Sequence, residues 1–324
     1  MQVFYDLFQQ VSEKPTVLTI GMFDGVHLGH QRLIRSVVES AHASGRHAAL
    51  VTFFPHPGVV MGRAEPFYIT STEEKLNELE RLGLDVALVV NFTPETARIR
   101  ADQFVNLLIE NLKIRELWTG YDFALGYQRE GNNAFLQDMG TRCGFSVHTI
   151  VEPVMLEERP VSSSRIRSAL RAGDVRQASA CLGRQFQVSG SVLPSAPSRH
   201  NLAVRAATLT VASDHALPCE GNYVCRARVN GATYDASADI TRSARSDRGH
   251  IIELSLLDFD GDLDGQTLKL DMIERQPSER QHEEFKALIT QQRRRPADQL
   301  ERLLAYPLAP ASQNIQQVVL EQKN

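Results

Sequence analysis

One segment of the chain, Gly21-Met22-Phe23-Asp24-Gly25-Val26-His27-Leu28-Gly29-His30-Gln31, combines glycines with two histidines. It follows an apolar run at 16–20 that is typical of a buried strand. It precedes residues 32–41, whose apolar side chains recur at helical spacing. Glycines let the backbone approach a ligand closely, and amides at a helix N-terminus attract phosphate. The pattern predicts a strand, a turn and a helix start arranged around phosphate.

The two histidines of this segment lie three positions apart, so they share one face if the helix begins near His27. Two imidazoles beside a row of amides can hold the α- and β-phosphates of a nucleotide. They can also stabilise the charge that develops on a leaving pyrophosphate. A capped helix with two exposed histidines and a zinc pair are the alternatives. A zinc site needs a third ligand, and none stands at an obvious spacing.

Composition restricts the class of protein. The 324 residues suffice for two domains, and no apolar run approaches the ~20 residues that cross a bilayer. The N-terminus does not resemble a signal peptide, and the 4 cysteines form no CxxC pair. We therefore expect a cytoplasmic protein without a membrane partner. A net charge of −4 argues against a nucleic-acid partner, and no signal for an oligomeric state is present.

From residue 16 to about residue 150, apolar strands alternate with amphipathic helices. The predicted strands are 16–20, 48–54, 85–92, 116–120 and 145–150, and helices are predicted at 71–82 and 101–112. Ser71 and Glu74 form a capping-box pattern at the start of the first of these helices. This alternation is typical of a doubly wound parallel sheet, in which ligands bind at the carboxyl ends of the strands.

Three more segments with chemically active residues follow predicted strands or open helices. Pro55-His56-Pro57 presents a histidine on a stiff loop, and an exposed turn is the alternative. Residues 120–131 hold Asp122, Phe123 and Arg129 among glycines, as expected for a loop built around a ligand. Ser162-Ser163-Ser164 opens a helix that carries Arg167, which can pair with phosphate. Simple helix capping is the alternative for the serines.

These four segments, in this order, resemble the bacterial bifunctional riboflavin kinase/FAD synthetases. The first is similar to the His-x-Gly-His signature of the nucleotidyltransferase superfamily in its Gly-x-Phe-Asp-Gly-Val-His-x-Gly-His-Gln form. The others resemble the family's Thr-Phe-x-Pro-His-Pro, Gly-x-Asp-Phe-x-Phe-Gly-x-x-Arg-x-Gly and Ile-Ser-Ser-Thr-x-Ile-Arg segments. Leu125 stands where a Phe is usual, and Ser164 stands for the Thr.

The resemblance implies an FMN adenylyltransferase that converts ATP and FMN to FAD and pyrophosphate. It implies that Mg²⁺ arrives with ATP and that no all-protein metal site exists. It also assigns roles to residues. The catalytic residues would be His27, His30 and Arg167; the nucleotide-binding residues Gly21, Phe23, Asp24, Gly25, Gly29, Ser162, Ser163 and Ser164; and the flavin-binding residues His56, Asp122, Phe123 and Arg129.

The second half of the chain has a different pattern. We predict a first domain over 1–184 and a second over 185–324. Strand candidates at 188–192, 202–210, 221–229, 232–238, 251–257 and 266–274 favour a small antiparallel β-barrel. Helices are predicted at 283–290 and 296–304. Residues 217–223 and 257–265 resemble the riboflavin kinase module, and Glu253 stands where that module keeps its catalytic base.

Two kinase signatures are altered. The nucleotide-binding Gly-Arg-x-x-Gly-Phe-Pro-Thr-Ala-Asn segment keeps at best Asn201, and residues 240–246 replace the Ile-Gly-x-x-Pro-Thr-Phe loop. Without this cradle, Glu253 has no positioned phosphate donor, so we expect weak or absent kinase activity. Three alternatives stay open: a still bifunctional enzyme that also accepts riboflavin, adenylyl transfer to a flavin analogue, and a second domain that binds flavin or regulates the first.

Overall fold

A six-stranded parallel sheet forms the first half of the chain in the computed structural model, which describes residues 1–194, 204–241 and 250–276. Its strands are β1 (Gln2–Phe4), β2 (Thr16–Ile20), β3 (His47–Phe54), β4 (Val86–Asn91), β5 (Ile114–Gly120) and β8 (Ser146–Ile150). Its helices are α1 (Leu28–Ala43), α2 (Pro57–Val60), α3 (Thr72–Arg81), α4 (Ala101–Leu112) and α5 (Asn133–Cys143). The short pairs β6 (Ala124–Leu125) with β7 (Gly131–Asn132) and β9 (Met155–Leu156) with β10 (Arg159–Pro160) lie outside this sheet.

The strand order β1-β4-β3-β2-β5-β8 places the reversal of direction between β2 and β5. Strands β3 and β4 extend the sheet on one side of β2, and β5 and β8 extend it on the other. Ligands of such sheets bind in the crevice at the carboxyl ends of the strands beside this reversal. Residues 21–31 begin there.

Alternate residues of the central strand face two separate cores. Val17 packs with Ile34 and Val37 of α1 on one side of the sheet. Leu18 packs with α4 and α5 residues, including Leu108, on the other. This period of two on a strand covered on both faces is what a doubly wound sheet requires, and the predicted fold class is confirmed.

Polar side chains cap the N-termini of α3 and α1. The Ser71 side chain caps α3, and the Glu74 side chain returns to the Ser71 amide, so the predicted capping box is present. Helix α1 begins at Leu28 with His27 as its N-cap residue. The turn before it is strained, because Phe23, Gly25 and Val26 have φ values of 50°, 81° and 42°. Positive φ is costly for a β-branched residue and is concentrated at functional sites.

The second half contains a closed antiparallel barrel in the order β11-β12-β15-β14-β13-β16. Its strands are β11 (Phe186–Val192), β12 (Val204–Val211), β13 (Gly221–Val229), β14 (Ala232–Thr241), β15 (His250–Leu257) and β16 (Thr267–Gln276). The barrel predicted from the sequence is therefore confirmed. Asn201 and the helices predicted at 283–290 and 296–304 lie outside the described residues.

Helices α6 (Ser163–Ala172) and α7 (Val175–Leu182) join the sheet to the barrel. Ile166 and Leu170 of α6 belong to the same buried cluster as barrel residues such as Leu254. A second connection is made by Tyr68, whose amide donates to Asp214 O at 2.8 Å and whose carbonyl accepts from Ala216 N at 2.7 Å. Helix α6 therefore packs on the barrel while its first turn faces residues 21–31. Among the helices in the described ranges, none is long and apolar enough to span a membrane.

Candidate active site

The two histidines of residues 21–31 lie at the N-terminus of α1 and contact each other directly. Nδ1 of His27 accepts a hydrogen bond from the His30 amide at 3.3 Å. The imidazole rings are stacked, with centroids 3.6 Å apart, and the Phe23 ring meets His30 edge-on at 5.2 Å. A Cβ on Gly29 would lie 3.1 Å from the His27 ring, so the glycine leaves space for this stack.

Both imidazoles are neutral at neutral pH. Burial, assisted by the nearby Arg167 and Arg184 guanidinium groups, lowers the pKa of His27 to about 4. Burial also holds the pKa of His30 well below its usual range, and the positive charges of Lys75 and Arg167 act in the same direction, as does His27 when it is protonated. Because Nδ1 of His27 accepts from an amide, its proton is on Nε2. The pair therefore offers neutral N–H donors rather than charges.

Asp24 and Arg167 form the charged centre of the site. The Asp24 carboxylate is buried and accepts from the amides of Ile69 at 3.0 Å and Thr70 at 3.2 Å. Nη2 of Arg167 donates to the same carboxylate at 2.5 Å, and Nε donates to Phe67 O at 3.0 Å. Asp24 thus fixes both residues 67–70 and the guanidinium, although the sequence predicts that it contacts the nucleotide.

The serines at the start of α6 differ in their contacts. Ser162 caps the helix by accepting from the Arg165 amide at 3.2 Å. Ser163 Oγ donates to Asp24 O at 3.0 Å and so connects α6 to the turn after β2. Ser164 is exposed on the first turn. The structure therefore brings the N-terminus of α6 against the turn that carries the histidines.

A cavity of about 780 Å³ adjoins this turn. All four predicted flavin-binding residues line it: His56, Asp122, Phe123 and Arg129. Apolar side chains from the ends of β2, β3 and β4, among them Ile20, Phe53 and Phe92, form its floor. A largely apolar cavity of this size suits a planar aromatic ligand.

The loop over the cavity is held by its own contacts. Nη2 of Arg129 donates to Asp122 O at 2.9 Å, and Arg129 has a φ of 61°. Leu125, which stands at a position usually occupied by Phe in the family, is buried at the cavity wall.

His56 and Gly21 lie where the cavity meets the charged centre. Both line the cavity. Burial lowers the pKa of His56, and the positive charges of Arg167 and Lys75 act in the same direction, while Asp24 opposes them. The His56 amide donates to Tyr68 Oη at 2.9 Å. A ligand in the cavity can therefore extend a substituent past His56 towards Arg167 and the histidine pair.

The sequence analysis missed one charged residue at this junction. Lys75 of α3 is 5% exposed, and its Nζ donates to Thr52 Oγ1 at 3.0 Å and to Met22 O at 3.3 Å. One signal could have revealed it, because Lys75 lies one helical turn before the fully buried Leu79, on the face of α3 that packs inward. A lysine on a buried face is rare enough to require a partner or a function.

The candidate kinase residue lies elsewhere. Glu253 is exposed on β15, in register with Thr208 of β12 and Asp239 of β14. Its neighbours Ile252 and Leu254 point into the barrel core, so Glu253 is on the outer surface of the barrel.

Within the described ranges, no three His, Cys, Asp or Glu side chains are grouped to hold a metal ion. Among the residues that the structure describes, Asp24 is the only carboxylate at the charged centre, and it is already engaged by Arg167 and two amides. These residues do not fit a dedicated protein site for Mg²⁺.

Comparison with known proteins gives two family matches, FAD synthetase over residues 9–165 and riboflavin kinase over residues 182–300. A bifunctional riboflavin kinase/FMN adenylyltransferase of Bacillus subtilis (strain 168) is 32% identical over 283 residues, covering 85% of this chain and 89% of the relative. The chain belongs to this family. A relative of the same description from Listeria monocytogenes is 30% identical and covers 78% of this chain and 82% of its own length.

A crystal structure described as a macrolide-efflux protein from Streptococcus pneumoniae matches with a TM-score of 0.74 and 23% identity, covering 94% of this chain and 98% of that one. At this identity the match supports the fold alone. The two family matches and the curated relatives confirm the bifunctional riboflavin kinase/FAD synthetase family predicted from the sequence. The enzyme class that it carries, a nucleotidyltransferase, is confirmed with it.

Proposed function

We propose that this protein is an FMN adenylyltransferase that transfers AMP from ATP to FMN and releases pyrophosphate. One observation carries the proposal: a largely apolar cavity opens beside a stacked pair of neutral histidines at a helix N-terminus. The cavity can take the flavin ring, and the helix terminus can take phosphates. FAD synthetase and riboflavin kinase family matches support the same substrates, ATP and FMN.

In this reaction an oxygen of the FMN phosphate attacks the α-phosphorus of ATP. A new P–O bond forms while the bond between the α-phosphorus and the bridging oxygen breaks, and the electron pair leaves with pyrophosphate. The FMN phosphate is already anionic, so no general base is needed, and positioning with charge stabilisation supplies the rate. Mg²⁺ enters with the triphosphate of ATP.

The histidines and Arg167 act on the phosphates. The Nε2–H of His27 and the His30 imidazole donate hydrogen bonds to phosphate oxygens where charge develops. Arg167 supplies a fixed positive charge at the N-terminus of α6. Two of its five N–H donors are engaged by Asp24 and Phe67, which leaves donors for a phosphate. Asp122, Phe123 and Arg129 hold the flavin in the cavity.

The variant His30→Ala tests this assignment. Removing one preorganised donor costs about 10²–10³-fold in turnover at comparable sites, so FAD formation from FMN and MgATP should fall at least a hundredfold. His42→Ala is the matched control, because His42 lies in the last turn of the same helix with its side chain 53% exposed. Equal activities of the two variants would refute the site.

The second domain carries, in our proposal, weak or no kinase activity. One feature supports this: residues 194–201 and 240–246 lack the family's glycines and threonine at the matching positions. A fully bifunctional enzyme is the second candidate, favoured by the riboflavin kinase family match over 182–300. A barrel that only binds flavin is the third.

Incubation of the full chain with riboflavin and MgATP distinguishes these candidates. No FMN or FAD on chromatography supports the weak kinase, and accumulation of either supports the bifunctional enzyme. Titration of flavin fluorescence at saturating FMN, which occupies the first domain, detects any further riboflavin site and so tests the binding barrel.

A further inference from the structure

Lys75 is a buried cation without a carboxylate partner. Among the described residues its hydrogen-bond acceptors are a hydroxyl and a carbonyl, Thr52 Oγ1 and Met22 O, both uncharged. Burying an ammonium group with neutral partners is expensive. Such a residue therefore lowers the unfolding free energy unless an anion binds near it. This suggests that the charge of Lys75 attracts an anionic group of a ligand.

The position of Lys75 indicates which ligand group that is. Its acceptor Met22 lines the 780 Å³ cavity, and its acceptor Thr52 ends the buried part of β3 just before the cavity residue Phe53. The positive charge of Lys75 also acts on His30, whose pKa it lowers. Lys75 thus lies at the boundary between the cavity and the histidine pair, where a phosphate attached to a ligand in the cavity would be.

No carboxylate that faces Lys75 among the described residues is free to neutralise its charge. Asp24 is the nearby carboxylate, and it is engaged by Arg167 and by the amides of residues 69 and 70. The nearby imidazoles of His30 and His56 are neutral. Nδ1 of His30 is buried and, within the described residues, has no hydrogen-bond partner. A cation without a free carboxylate and an unpaired buried imidazole nitrogen therefore lie near each other, beside the cavity residue Met22.

We propose that Lys75 is a positioning residue for FMN, and that its buried positive charge draws the FMN phosphate from the cavity to the histidine pair. It acts by its charge rather than by forming part of the flavin-ring pocket. This inference rests on the proposed function, because it assumes that the cavity takes the flavin of FMN.

The test compares two ligands that differ only in the phosphate. In Lys75→Met, the KM for FMN should rise about tenfold or more, as expected when one charge-assisted interaction is lost. Riboflavin lacks the phosphate, so its inhibition constant as a competitor of FMN in FAD formation should change less than twofold. Because Lys75→Met removes a buried charge, its melting temperature should equal or exceed that of the wild type.

Two further measurements separate charge from structure. Burial lowers the pKa of Lys75 to about 8, against the opposing effect of Asp24, so kcat/KM for FMN should fall above pH 8 in the wild type and lack this decline in Lys75→Met. Thr52→Val removes the hydroxyl partner but keeps the charge, and it should keep the KM for FMN within about threefold.

An unchanged KM for FMN in Lys75→Met would overturn the inference, as would a parallel rise in the riboflavin inhibition constant. Both outcomes presuppose a wild type that makes FAD. A wild type that makes no FAD would instead contradict the proposed function.

Discussion

The buried pair of Asp24 and Arg167 should be the most sensitive single contact of the site. In Asp24→Asn the amide group offers one acceptor oxygen to four donors, the amides of residues 69 and 70, the Thr70 hydroxyl and the Arg167 guanidinium. Removing one partner of a buried pair costs 3–5 kcal/mol. Since Arg167 keeps 20% side-chain exposure, water compensates part of this loss, and we expect about 3 kcal/mol.

The assay uses the single tryptophan of the chain, Trp118, which lies on β5 of the same sheet as the site. Its fluorescence during urea titration reports the unfolding of the sheet beside Asp24. Asp138→Asn is the matched control, because it makes the same chemical change in a pair with Arg142 that is 66–67% exposed on α5. Exposed pairs of this kind contribute only about 0.3–0.5 kcal/mol.

The expected difference between the two variants is therefore about 2.5 kcal/mol. Surface substitutions usually change the unfolding free energy by no more than about 0.5 kcal/mol. If the unfolding free energies of Asp24→Asn and Asp138→Asn differ by no more than this, about 0.5 kcal/mol, the reasoning fails. Such a result would mean that Arg167 and residues 67–70 are held by something other than this carboxylate. A double variant with Arg167→Met should cost less than the sum of the single changes, because both remove the same interaction.

Two further predictions concern stability. Gly173 and Gly144 both end helices with φ near 78–79°. A Cβ on Gly173 would lie 2.8 Å from Cys219 Sγ and Arg275 Cδ, whereas a Cβ on Gly144 meets nothing within 4 Å. Gly173→Ala should therefore lower the unfolding free energy by about 1–3 kcal/mol more than Gly144→Ala, and equal losses would refute the packing of α6 on the barrel. The folded-state pKa of His27, about 4 against 6.5 unfolded, means that acid favours the unfolded chain: the contribution is complete above pH 6.5 and is lost as the pH falls towards 4. Between pH 6.5 and 5 this loss of unfolding free energy is about 2 kcal/mol. In His27→Gln the unfolding free energy should fall by about 2 kcal/mol less over the same pH range. Parallel pH profiles of the two proteins would contradict this prediction.

Local patterns predicted most of the fold. Strand β2, helix α4 and strand β13 have the predicted bounds, because burial on a strand or on one face of a helix leaves a periodic trace in the sequence. The α3 cap was also predictable, because Ser71 and Glu74 contact each other within one turn of the helix. Strand β1 (Gln2–Phe4) was missed, because three residues are too few for a period to show.

Contacts between distant residues were not predictable in the same way. Asp24 and Arg167 are 143 positions apart, and nothing in either motif indicates that the acid binds the base. Lys75 was missed because its helix reads as an ordinary amphipathic segment, and only the fold shows that its ammonium lies against Met22 and Thr52. The resemblance to a known family identified which loops meet, but the division of roles among their charges required the three-dimensional arrangement.

Residues 67–70 explain why a barrel with altered kinase loops still matters to the first domain. On one side, this segment binds the Asp24 carboxylate through two amides and the Arg167 guanidinium through Phe67 O. On the other, the amide and carbonyl of Tyr68 are both hydrogen-bonded to barrel residues 214 and 216. Buried backbone groups without partners are costly, so the segment keeps this conformation only while the barrel supplies them. The geometry of the site around Asp24 and Arg167 is therefore set jointly by the sheet and the barrel.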